Sequence, residues 1–118
     1  MPSGAKRLTS LGDVTGGWKV YLYGGGMERL LSANIDVGQS AVTITLDWYY
    51  VRDSTGKSFE DDTPNSKFSG KFDGGALEAT GSGKINLATF WQQDGHQYAF
   101  GSFMWADGSI SDIALVRP

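Results

Sequence analysis

Four glycine turns cut this chain into short runs of alternating polarity, and that pattern points to an antiparallel sheet. Gly24-Gly25-Gly26, Asp73-Gly74-Gly75, Asp94-Gly95 and Asp107-Gly108 supply residues able to take positive φ, as tight hairpins require. The runs between them are rich in Val, Ile, Thr, Tyr, Phe and Trp. A helical period fits nowhere for more than a turn.

Strands are expected over about 17–24, 30–37, 41–52, 66–73, 76–83, 84–93, 96–106 and 109–117, with a weak one at 57–60. The count is eight or nine, depending on the weak one. Alternation is cleanest in the third, where Val42, Ile44, Leu46, Trp48 and Tyr50 share one face and Thr43, Thr45, Asp47 and Tyr49 the other. In the first, Trp18, Val20 and Leu22 face in, while Lys19, Tyr21 and Tyr23 face out. The second sets Leu31, Ala33, Ile35 and Val37 against Ser32, Asn34 and Asp36. Phe68 and Phe72 flank Gly70, and Leu77, Ala79 and Gly81 follow. Eight strands with short loops consume roughly the hundred residues from Gly16 to Arg117. Glycines within strands (Gly70, Gly81, Gly83, Gly101) suit a sheet that bends sharply or brings backbones close. The expected fold is all-β: an eight-stranded, or nine-stranded, antiparallel up-and-down barrel over residues 16–118. Residues 1–15 form a tail, with a flexible Met1 to Ala5 and a short helical turn within Arg7 to Asp13.

At 118 residues, 40% hydrophobic and 19% charged, the chain suffices for one independently folded domain. A net charge of −3 with scattered basic residues argues against nucleic acid as a partner. The absence of cysteine removes disulfides, thiolate metal sites and Cys nucleophiles. No apolar run approaches the roughly 18 residues that a spanning helix needs, so no membrane span is expected. No signal-peptide core is found within the chain; a leader preceding it, with export to a bacterial surface, and a cytoplasmic location both stay open.

Gly16 and Trp18 open the first strand and Arg117 closes the last. This G-x-W with a terminal basic residue resembles the signature of the calycin superfamily, which includes lipocalins, fatty-acid-binding proteins, avidins and small bacterial metalloprotease inhibitors. The resemblance covers nearly the whole chain in layout and three residues in motif. It implies that Arg117 packs over Trp18, that a short helix precedes Gly16, and that the ligand is lipid-like. Several family features are missing: the T-D-Y motif, a disulfide, a C-terminal helix, the biotin-binding set and a helical lid. What remains looks most like a small calycin-like bacterial domain of the sort found in exported or surface-anchored proteins of unknown role.

An indole beneath a guanidinium is worth about 0.5–2 kcal/mol, so Gly16, Trp18 and Arg117 read as a structural signature. His96, the lone histidine, follows the Asp94-Gly95 turn and reads as an exposed hairpin residue with no marked nucleophile beside it. Glu60, Asp61 and Asp62, with Asp53 across the same loop, read as a solvated run whose spacing is not that of an EF-hand. No phosphate loop and no G-x-S-x-G elbow occurs, so no catalytic residue, cofactor or metal ligand is expected.

The four Trp, five Tyr and six Phe are the functional question. The strand at 96–106 is apolar on both faces, with Tyr98, Phe100 and Met104 against Ala99, Phe103 and Trp105. A barrel strand with one wet face should not be, so the N-terminal segment, the long loop or another chain must cover part of it. Two readings follow. In the first, a non-catalytic binding domain takes a small apolar ligand in a mouth lined by Trp48, Tyr50, Tyr98 and Phe100. In the second, a filled barrel serves as a protein-interaction or inhibitor domain, or a homodimer, through an outer patch around Phe103 and Trp105. The volume of side chains inside decides between them.

Overall fold

The computed structural model describes residues 5–37 and 41–118. Its strands are β1 (Lys6–Arg7), β2 (Gly16–Gly24), β3 (Met27–Val37), β4 (Val42–Arg52), β5 (Ser58–Glu60), β6 (Ser66–Asp73), β7 (Ala76–Thr80), β8 (Lys84–Gln93), β9 (His96–Met104) and β10 (Ile110–Arg117). Leu11–Asp13 form one 3-10 turn. The expected flexibility of Met1 to Ala5 falls, Ala5 apart, outside the described residues.

Eight strands close an antiparallel barrel in the order β2-β3-β4-β6-β7-β8-β9-β10, with β10 returning to β2. The chain therefore follows the up-and-down layout that its turn spacing implies. The two remaining strands lie along stretches of β4 and β8 that the barrel leaves unpaired. β4 pairs β6 through Val42–Leu46 and β5 through Tyr50–Arg52. β8 pairs β7 through Lys84–Leu87 and β1 through Trp91–Gln92. Thus the weak strand at 57–60 exists but stays outside the barrel wall, and the tail contributes a short strand as well as a turn.

Two register shifts change the inside–outside pattern. Between β3 and β4, Leu31 faces Trp48 while Leu30 faces Tyr50, so Tyr49 is an extra residue. Strict alternation puts Tyr50 on the face of Trp48; the bulge reverses this, leaving Trp48 buried and Tyr49 and Tyr50 both exposed. Between β8 and β9, Ala88 is the extra residue opposite the Gly101–Phe100 step. A Cβ on Gly101 would collide with the carbonyl oxygen of Asn86, so a glycine is required for the two strands to meet there. Val37, expected inside, lies at the end of β3 and is exposed.

The interior is a single apolar cluster that includes Trp18, Trp48, Phe68, Phe90 and Phe103. Trp18, Phe90 and Phe72 stack edge to face at one end. At the other, Phe103 meets Phe68, Trp48 and Trp105 edge to face, and Trp48 lies tilted at 36° against Trp105. All five tyrosines are on the outer face or rim, where each phenol can reach water or a polar partner. The outer face itself is lopsided. On β6 and β7 it carries exposed Lys67, Ser69, Lys71, Glu78 and Thr80; on β9, β10 and β2 it carries Tyr98, Phe100, Met104, Ile110, Tyr21 and Tyr23, and on β3 and β4 Leu30, Tyr49 and Tyr50 stand among polar residues.

Candidate functional site

At the closed end, Arg117 is in the inward phase of β10, two residues beyond buried Leu115. Its guanidinium lies 4.0 Å above the ring of Trp18. It donates to the carbonyls of Thr15 (2.7 Å) and Asp13 (2.6 Å) and, through Nε, to Gln97 Oε1. Trp18 Nε1–H in turn donates to the Val14 carbonyl at 2.9 Å. Burial pushes the Arg117 pKa down, with Asp13 opposing. One cation therefore fixes the turn that stoppers the barrel. Gly16 sits against this group with φ +101, a backbone conformation that favours glycine.

The opposite rim repeats the arrangement with residues that the sequence did not single out. Arg29 is in the inward phase of β3, with Leu31, Ala33 and Ile35. Its guanidinium lies 5.0 Å from the centre of the Trp105 ring and 3.5 Å from Asp61 Oδ2. Asp61 is a buried ion pair partner, its side chain only 6% exposed, rather than part of a solvated run. It anchors the long loop through Oδ1, which accepts from the Thr63 amide and hydroxyl. Trp48 Nε1–H donates to Ser66 Oγ (3.0 Å) and Trp105 Nε1–H to Ser111 Oγ (2.8 Å). A charged residue in phase with an apolar face, at the end of a strand, was the available signal for Arg29.

The four residues expected to line a ligand mouth are not brought together. Trp48 is inside, and Tyr50 and Phe100 are about half exposed on the outer face. Tyr98, also on the outer face, stacks on Trp91 at 5.4 Å. The expected outer patch is likewise inverted. Phe103 is 3% exposed within the core, and Trp105 is half-buried over the rim. The face assignments of the doubly apolar strand hold; its wet side carries Tyr98, Phe100 and Met104. The N-terminal strand lies beside Trp91 on β8 and the long loop beside β4, so neither covers Phe100. His96 is exposed at its turn, with its ring 6.3 Å from that of Tyr98.

Neighbouring strands align these outer residues in rows. Phe100, Ala114, Tyr21, Leu30 and Tyr50 are successive cross-strand partners from β9 to β4. Above them run Ser102, Asp112, Tyr23, Glu28 and Arg52; below, Tyr98, Val116, Lys19, Ser32 and Asp47. A groove of about 320 Å³ opens on this face between Tyr21, Glu28, Leu30, Tyr50, Arg52 and Ser58. A second of similar volume lies at the rim beside Arg29, Trp105 and Asp107. Among the described residues no group of three His, Cys, Asp or Glu side chains could hold a metal ion, and no helix is long and apolar enough to cross a membrane. Comparison with protein families, curated proteins and solved structures finds no match.

Proposed function

We propose that this chain is a non-catalytic binding domain that engages a protein partner through its outer face, centred on Tyr21, Leu30, Tyr50 and Phe100. The observation that carries this reading is the pairing of a packed interior with a bare aromatic face. Trp18, Trp48, Phe68, Phe90 and Phe103 occupy the space an apolar ligand would need. Tyr21, Tyr23, Tyr49, Tyr50 and Phe100 are 38–60% exposed. Tyrosines with flanking charges are the residues that protein interfaces favour, offering ring area and a hydrogen-bonding hydroxyl at little entropic cost. Calycin-like ancestry is compatible with this reading through the Gly16, Trp18 and Arg117 group, whose every polar atom is directed at the chain itself.

Site-specific photocrosslinking in the host cell tests it. A benzophenone side chain at position 21, 50 or 100 gives protein adducts, whereas the same group at 71 or 78 gives none. Equal adducts from both faces, or none from either, contradict the proposal.

A further inference from the structure

We infer that Asp94 is a self-modification site, where the chain rearranges to isoaspartate as it ages, and that its other two Asp-Gly turns are held against the same reaction. The chemistry needs only water. The Gly95 amide nitrogen attacks Asp94 Cγ, and an N–Cγ bond forms. The carboxyl's hydroxyl leaves with the amide proton as water, closing a succinimide ring. Water then adds to one of the two ring carbonyls. Opening at Cγ restores aspartate. Opening at the Asp94 backbone carbonyl breaks its bond to Gly95 N, so the main chain now runs through Cγ and the old carbonyl becomes a carboxylate. One water leaves and one returns, and nothing is oxidised or reduced.

The carboxyl must be free to swing, the nitrogen free to give up its proton, and the turn open to solvent. Asp73-Gly74, Asp94-Gly95 and Asp107-Gly108 share the dipeptide but not this freedom. At Asp107 both reacting groups are tied. Its Oδ1 accepts from the Ser109 amide (2.9 Å) and hydroxyl (2.6 Å), and the Gly108 amide donates to the Trp105 carbonyl at 2.9 Å. The same contacts hold its carboxyl below the ordinary 3.8, so the neutral acid, the form that loses water, stays scarce. At Asp73 the tail lies across the turn. Arg7 Nη2 donates to the Gly74 carbonyl at 3.4 Å, and Gly75 is buried beneath Leu8 and Thr9.

Asp94 has none of these restraints. It is exposed, as are Gly95 and His96, and its carboxylate has no hydrogen bond or ion pair among the described residues. The Gly95 amide donates to no acceptor among them either, and nothing lies within 4 Å of where a Gly95 Cβ would be. Asp94 is also the one non-glycine described with positive φ (+53), a region that costs a residue with a side chain more than it costs glycine. The isoaspartyl link adds one carbon to the two-residue turn between β8 and β9. The next pairs along are Gln93–His96 and Gln92–Gln97, and Gln97 Oε1 takes the Arg117 Nε–H. Rearrangement at this turn therefore bears on the closed end of the barrel.

The test is to age the full chain at neutral pH and body temperature and map isoaspartate by electron-transfer fragmentation of its peptides. Because the hydrogen bonds at Asp107 are to a charged group, isoaspartate should build up about tenfold or more faster at 94 than at 107. Ser109→Ala, which removes one donor to Asp107, should raise the yield at 107 about threefold or more. A chain held unfolded in urea should rearrange at all three turns alike. As much isoaspartate at 107 or 73 as at 94 in the folded protein overturns the inference. So does none at 94 in the folded protein while the unfolded chain forms it at all three.

Discussion

The guanidinium of Arg117, one residue from the end of the chain, covers the indole of Trp18 at 4.0 Å and ties down the carbonyls of Asp13 and Thr15. Chain closure and barrel closure are thus the same contact. Arg29 over Trp105 caps the far rim in the same manner, 5.0 Å from the ring centre and paired with Asp61. Each arginine lies in the inward phase near the end of its strand, where its head reaches the rim.

Arg117→Ala is expected to lower stability by about 2 kcal/mol, because it leaves two carbonyls without their donor and uncovers the buried Trp18 indole. Arg117→Lys keeps the charge but not the planar fork, and should recover less than half of that loss. Urea unfolding at neutral pH measures both; a lysine variant as stable as wild type would show that charge alone suffices.

The Trp105 cap depends on one hydroxyl. Ser111 is 7% exposed, and its Oγ accepts the Trp105 indole proton at 2.8 Å. Ser111→Ala should cost about 1 kcal/mol, from an indole N–H left dry. In a Trp105→Phe background the same change should cost almost nothing, since no donor remains. A double-mutant cycle with no coupling between them would contradict the role given to this bond.

At Gly101 the backbone of β9 leaves no room for a side chain against β8. Gly101→Ala forces a methyl against the carbonyl of Asn86 and should destabilise the barrel by about 1–3 kcal/mol. Thermal unfolding of this variant, set beside Gly95→Ala, separates close approach from backbone conformation. Gly95 has open space around it but a φ of +79.

Two loop carboxylates give a pH dependence of known sign. The Thr55 hydroxyl, with the Lys57 and Thr55 amides, holds Asp53 below its ordinary 3.8; burial opposes. The Ser109 hydroxyl and amide do the same for Asp107. A folded-state value below the unfolded one means that the turns are stabilised fully above about pH 4 and lose that support as the pH falls through the lowered values. Carboxyl-carbon NMR titration should place both midpoints below 3.8. Midpoints at or above it would contradict the hydrogen bonding described.

Most of the fold is legible in the sequence because its signals are local. Alternation in β2 gives the inward set Trp18, Val20 and Leu22, and the four glycine turns mark the β2–β3, β6–β7, β8–β9 and β9–β10 hairpins. What the sequence hides is non-local. Tyr49 and Ala88 are bulge residues only because of the strands opposite them, and one extra residue is enough to move Tyr50 from the inner face to the outer. Asp61 belongs to an acidic run in the sequence but to a buried pair in space, since its partner Arg29 lies 32 positions earlier. The candidate site inherits the bulge error directly: Tyr50 leaves the supposed mouth and joins Tyr21 and Leu30 outside.

The central claim is that the barrel's own side chains fill its interior and leave binding to the outer face. Its most direct test is a titration with a medium-chain fatty acid, followed through the indole Nε1–H signals of Trp18 and Trp48, which hydrogen bonds hold at the two ends of the core. The account predicts that neither signal moves at ligand concentrations below micelle formation. A saturable shift of both, at one-to-one stoichiometry, would place the ligand inside and contradict it.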